Sequence, residues 1–260
     1  MKKRLFLLMV VVLLLFMTGC EKTKLIDKIS DASANIDSYT FDMDGTINMK
    51  VSLEGITQTA VTRNVGSGAV DVNARQMMIK STISSDQGVI DSEVYIIGDT
   101  LYSKDPIQGW VKQAVSADVW NQQDQIQKQV DLLRNSKIKK LGDDTVNGIP
   151  TIMLEVIPDT KKLVGLIQGE QLNLPADVDW NKVFKNIYIK QWIDKDTYYP
   201  IKSQTTVGLL LNKDTVGGTA QDVEVEMNID IVMTMDNFNR PVEITLPDEA
   251  LGAAEVAALI

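Results

Sequence analysis

The chain of 260 residues contains no histidine and a single cysteine. Without imidazole it lacks the usual general base near neutral pH, the commonest metal ligand and the physiological pH switch. One cysteine permits no intrachain disulfide, so the fold rests on its core, and the chain is long enough to bury a large one. Basic residues number 26 against 35 acids, a formal net charge of −9. Such a chain repels phosphate backbones, and no basic patch with interleaved aromatics offsets this, which argues against nucleic acid as a partner. Tryptophan is sparse and dispersed, at Trp110, Trp120, Trp180 and Trp192, a pattern that suits partly buried packing better than carbohydrate stacking. Internal repeats, charge blocks and low-complexity linkers are also missing, which points to one domain.

What is present starts at the N-terminus. Met1-Lys2-Lys3-Arg4 is basic, and Leu5 to Met17 is an unbroken apolar run. That run falls short of the roughly 20 residues a membrane-spanning helix needs. It fits the central region of a secretory signal, roughly 7–15 residues behind a positive start. Met17-Thr18-Gly19-Cys20 then resembles the lipobox of bacterial lipoproteins, in which small residues precede a cysteine that receives diacylglycerol before cleavage. The expected organisation is a signal peptide over 1–19, a lipidated tether over 20–24 with the lipid on Cys20, and a single domain over 25–260. Cleavage removes three basic residues and no acid, leaving 23 basic against 35 acidic side chains, a net charge of −12. Attraction to anionic headgroups is then disfavoured, so the acyl chains on Cys20 should do the tethering. With the thiol consumed, Cys/His zinc sites and Ser-His-Asp or Cys-His nucleophiles are excluded. No enzyme activity, cofactor or metal is expected. The localisation expected is the extracytoplasmic side of the cell membrane.

Hydrophobic periodicity orders the rest. Leu25, Ile29, Ala32 and Ile36 recur at helical spacing, which predicts an amphipathic helix over 24–36. From Tyr39 the period is two: Tyr39, Phe41, Met43, Gly45, Ile47, Met49 and Val51 alternate with polar residues, as in an antiparallel strand lying over a core. Further strands are predicted over 57–65, 68–73, 76–83, 89–97 and 100–104, with a short edge at Trp110-Val111. Gly98-Asp99 and Asn147-Gly148 read as tight hairpins between 94–97 and 101–103 and between 138–146 and 149–157. A second helix is expected from Ser116 or Asp118 through Val119, Ile126, Val130 and Leu133, and a third from Asp159 or Thr160 through Leu163, Leu166 and Ile167. The last strands are expected at 183–193, 200–211 and 223–236, followed by an extended piece between Pro241 and Pro247. The tail from Leu251 to Ile260 is too short to cross a membrane; a docked final turn and a frayed end both fit it.

The paired carboxylates Asp42/Asp44, Asp143/Asp144 and Asp194/Asp196 read as solvated or turn residues rather than as a site. Asp42 and Asp44 share the polar face of an alternating strand, and Asp194 and Asp196 lie in a turn where aspartate bonds local backbone. None matches a calcium loop.

Val146-Asn147-Gly148-Ile149-Pro150-Thr151 and Trp192-Ile193-Asp194-Lys195-Asp196-Thr197-Tyr198-Tyr199-Pro200-Ile201-Lys202, together with the lipobox and a helix followed by a meander, resemble the LolA/LppX-like lipoproteins. The resemblance implies an α+β, mainly β fold: a large curved antiparallel sheet, or half-barrel, with two or three helices on its concave side. It also implies an apolar cavity holding a lipid or other apolar ligand. The candidates to line it are Phe41, Met43, Met49, Met77, Val119, Ile126, Val130, Leu133, Leu163, Leu166 and Ile167, with Met78, Met227, Met233 and Met235 as further adaptable walls. The alternative is a non-enzymatic envelope interaction protein with a filled core, docking a protein partner through the sheet's outer face.

Overall fold

The computed structural model describes residues 23–115, 120, 133–160, 179–215 and 223–256. Helix α1 covers 23–33 and ends three residues before its periodicity suggests. Its buried side is Ile26 and Ile29, with Ile36 just beyond. Ile29 and Ile36 of the expected stripe are buried, Ile26 joins them, and Leu25 packs at the margin of the same core. The Asn35 side chain donates to the Asp31 carbonyl at 2.6 Å and closes the helix.

Twelve strands follow: β1 (Ser38–Leu53), β2 (Ile56–Asp71), β3 (Gln76–Ser85), β4 (Gly88–Ile97), β5 (Thr100–Asp105), β6 (Gly109–Ala114), β7 (Lys137–Val146), β8 (Ile149–Ile157), β9 (Phe184–Asp194), β10 (Pro200–Leu211), β11 (Val223–Asp236) and β12 (Ala254–Glu255). A one-turn helix, α2 (Trp180–Val183), precedes β9. All strands form a single open curved sheet in the order β12-β6-β5-β4-β3-β2-β1-β11-β10-β9-β8-β7. Almost every neighbour is a neighbour in sequence. The exceptions are β1 against β11, which joins two meanders, and the parallel pair β12–β6.

Turn chemistry sets the hairpins. Asn147 and Gly148 both have positive φ, 49° and 82°, as the tight turn between β7 and β8 demands. Glu54 and Gly55 make the same turn between β1 and β2, with φ of 50° and 82°. The two strands expected at 57–65 and 68–73 are one, β2. Gly66 and Gly68 look like punctuation in the sequence, yet both pair along the ladder with β1 and β3. A Cβ on Gly68 would collide with the Phe41 ring, so the glycine is there to let that ring lie across the strand.

The ladder assigns every side chain to one of two faces. Odd-numbered residues of β1 and β11 make an apolar stripe on one face; their even-numbered residues, Val232 apart, put polar groups on the other. Ile29 of α1 packs on the apolar face against Leu154, Val156 and Ile193, with Leu133 beside them. The extended residues 241–247 cross the opposite face, where Ile244 forms a core with Ala69 and Tyr95, and Met78, Tyr102, Trp110, Val242 and Leu246 pack around it. The two cores thus lie on opposite faces at opposite ends of one sheet. Ala250 is fully buried, and the Val256 N–H donates to Lys112 at 2.9 Å, so the tail docks along the edge of β6 as far as residue 256.

Of the two or three helices expected, α1 lies against the apolar face. The second contributes its end, since residues 133–134 are helical and Arg134 pairs with Asp27 of α1 at 3.1 Å. The remainder of the second helix and the third lie outside the described residues. Among the described residues no helix is long and apolar enough to cross a membrane.

Candidate functional site

The strongest chemical feature is the apolar face where β10, β11, β1 and β2 meet. Register brings together residues far apart in the chain. Met43 faces Met233, Met49 faces Met227, Phe41 faces Met235, and Ile47 and Val51 face Ile229 and Val225. On the far side of β11, Val207 and Leu209 continue the rows from Ile229 and Met227. From Phe41 to Leu53 the stripe runs roughly 40 Å at about 3.3 Å per residue.

Its two ends differ. Phe41 is 8% exposed, closed in by Tyr39 and Gly68, whereas Ile47, Met49 and Leu53 are 38%, 36% and 42% exposed. Tyr39 meets both Phe41 and Phe238, and burial pushes its phenol up from its ordinary value. One end of the stripe is therefore a packed floor and the other is open. Neighbouring rows of the same face hold small or polar groups: Gly66 with Ser81, then Ser92. The Asn64 side-chain oxygen, in the next row, is buried with no hydrogen-bond partner.

Of the sequence candidates, Phe41, Met43, Met49 and Met77 share this face. Leu133 packs at its β8–β9 end against the α1 core. Val119, Ile126, Val130, Leu163, Leu166 and Ile167 lie outside the described residues. Met78 does not belong: it is adjacent to Met77 on β3, points to the opposite face and packs against the Ala69, Tyr95 and Ile244 core. Ile47, Val51, Val207, Leu209, Val225, Ile229 and Ile231 join the stripe although none was singled out as a ligand contact. Their signal was present as strict alternation in β11, but which strand it would face was not.

The polar face carries its charges in pairs. Arg63 forks onto Asp44, and its two hydrogen bonds hold that carboxyl below the usual carboxylate range. Asp42 lies in a shallow groove of about 510 Å³ with Ser67, Lys80, Asp91 and Glu93. Glu93 already receives Lys80 and Lys104, at 3.4 and 3.1 Å. Asp194 behaves as a turn residue: its oxygens accept from the Asp196 and Thr197 N–H groups and from the Thr197 hydroxyl. Asp143 is held by Lys195 at 2.8 Å, and Asp144 accepts the Trp192 indole N–H at 2.8 Å. Among the described residues no group of three or more acids is placed to hold a metal ion.

A family model described as a family of unknown function (DUF6612) matches residues 21–145, just under half of the chain. Among solved structures the chain is similar to the lipoprotein LppX of Mycobacterium tuberculosis, at 12% identity over 86% of this chain and 99% of that one, with a TM-score of 0.44. It is similar to LprF of Mycobacterium bovis at 14% identity over 87% and 97%, TM-score 0.46, and to a LolA superfamily protein of Nitrosomonas europaea at 9% over 87% and 95%, TM-score 0.22. No curated protein matches.

Proposed function

We propose that this chain is a lipoprotein of the extracytoplasmic membrane surface, cut before Cys20 and lipidated there, whose apolar sheet face holds a lipid or other apolar ligand. The observation that carries the reading is the stripe on β1 and β11. Three cross-strand pairs in which at least one partner is methionine run from the packed floor at Phe41 to the half-exposed Met49 and Ile47. Methionine loses little when an acyl chain replaces one set of contacts with another, and an apolar stripe longer than a side-chain layer needs suits an extended chain. The role is binding rather than reaction.

Native mass spectrometry of the mature chain, purified from bacteria without detergent, tests it. The expected result is a co-purifying mass that organic extraction identifies as lipid, diminished in Ile47→Asp/Met49→Asp. A clean apo mass that stays unchanged when lipids are offered would overturn it. Cys20→Ser tests the anchor separately: release from the membrane fraction is expected, and unchanged retention would sink it.

A second reading rests on a different observation. Val61, Val65 and Val89 are 48%, 43% and 68% exposed on the polar face, where a protein partner would dock with the apolar face filled. The apo result above would turn attention there.

A further inference from the structure

The net charge of −9 is unevenly distributed. Strands β7 to β10 carry six lysines and four acids, while the other eight strands carry five basic residues and eleven acids. The excess of positive charge concentrates where β7 begins. Lys137, Lys139 and Lys140 are all exposed on the last strand of the sheet, and Lys185 is exposed on β9. The acids nearby are largely engaged. Asp143 is held by Lys195 and Lys140, Asp27 by Arg134, and Glu155 lies in register between Lys139 and Lys190. Beside the lysines, Ile157 stands 42% exposed opposite Lys137, and it joins Tyr188, Lys185 and Lys190 around a groove of about 600 Å³.

Helix α1 starts at the same end. Asp27 is tied to Arg134, three residues before Lys137, while the far end of the helix is held at Asn35 by Asn239 beside Tyr199. Its exposed Lys24 therefore lies at the same end of the sheet as β7. Cys20 precedes Thr23 by three residues, a reach of at most about 11 Å.

We propose that the β7 end of the sheet is a docking surface for anionic lipid headgroups, with Lys137 and Lys139 at its centre, so that the domain sits on the membrane edge-on rather than swinging from its tether. The placement of the anchor rests on the lipoprotein reading; the charge surface does not. Lysines and an apolar group flanked by tyrosine are what an interface of headgroups and acyl chains accepts. The acyl chains on Cys20 tether the chain without fixing its orientation, and a basic surface attracted to anionic headgroups fixes which end lies against them. The remaining surface, rich in acids on β11, would be held away by repulsion.

The test uses the mature chain with Cys20→Ser, so that no lipid anchor contributes, in flotation with vesicles of phosphatidylcholine alone or with one third phosphatidylglycerol. Binding is expected only with phosphatidylglycerol and is lost in high salt. Lys137→Gln/Lys139→Gln should weaken it roughly 30-fold, at about 1 kcal/mol per lysine. Lys50→Gln/Lys112→Gln, an equal change in net charge elsewhere, should weaken it less than threefold. Failure to bind phosphatidylglycerol vesicles, or equal losses in the two pairs, would overturn the proposal. Should the first pair disturb folding, lysine acylation of the Cys20→Ser chain with and without these vesicles decides: protection of Lys137 and Lys139 but not Lys50 supports docking, and uniform reactivity refutes it.

Discussion

The side-chain nitrogen of Asn239 donates to the carbonyl of Asn35 at 2.8 Å, across 204 residues of sequence. The same group reaches the Tyr199 hydroxyl at 3.0 Å, and the Asn239 side-chain oxygen accepts the Asp37 N–H at 2.7 Å. One amide thereby joins the end of α1, the start of β1, the β9–β10 corner and the turn that follows β11. Asn239 itself has a φ of 56°, a left-handed conformation that asparagine tolerates better than most side chains.

Asn239→Ala should therefore cost more than a surface substitution. It removes three hydrogen bonds and places alanine at positive φ, about 2 kcal/mol in all at roughly 1 kcal/mol per net bond with partial rescue by water. Urea denaturation measures it, and a loss under about 0.5 kcal/mol, the range of an ordinary surface change, would refute the role.

Two glycines of the apolar face should respond in opposite ways. Gly68→Ala drives a methyl into the Phe41 ring and the Met78 carbonyl, an overpacking cost of about 1–3 kcal/mol. Gly45→Ala meets nothing closer than Ile231 Cγ1 at 3.6 Å and should be neutral or slightly stabilising. Comparing the two midpoints checks the register of β1 against β2, since a one-residue slip would take Gly68 away from the Phe41 ring and remove its cost.

Acid should loosen the β7–β9 end. The Trp192 indole N–H, then the Thr145 N–H, hold the Asp144 carboxyl below its ordinary value. A carboxyl depressed in the folded state adds stability above its unfolded pKa, and that stability is lost as pH falls through the folded value. Between pH 6 and pH 3 the parent chain should lose more stability than Asp144→Asn, which cannot titrate. Parallel urea midpoints across that range would show that the contact carries no linkage.

The docked tail protects a sheet edge. Without residues 248–260 the outer side of β6 has lost β12 and the bond from Val256 to Lys112. An exposed strand edge pairs with other chains, so this truncation should self-associate with rising concentration on size-exclusion chromatography. A monomer at all concentrations would show that the edge needs no cover.

Much of this could be read from the chain alone, because its causes are local. A period of two decides that Phe41, Met43 and Met49 share one face whatever lies opposite. Asn147-Gly148 and Gly98 make their turns through backbone conformations few other residues adopt, and Asp194 bonds its own turn. The limits of β8, β10 and β11 follow from the same rules. What failed was also local in origin: Gly66 and Gly68 resemble a break because what crowds them, Ser81 and Lys80 of β3 for Gly66 and the Phe41 ring of β1 for Gly68, is absent from their own segment.

The tertiary structure decided the rest. That Met43 meets Met233 depends on β1 pairing with β11 across more than 180 residues, a closure no pattern within either strand specifies. Trp192 and Ile193 are adjacent, point to opposite faces and are both buried, because Asp144 and Lys202 cover one while α1 covers the other. The sign of the whole chain is likewise a sum, whereas a surface meets its surroundings through a sum over place: only the strand order gathers the lysines of β7 at one end and the acids of β11 near the middle. Alternation and turn chemistry are properties of neighbouring residues and survive in the sequence; which faces are covered, and where charge collects, arise only when distant segments share one sheet.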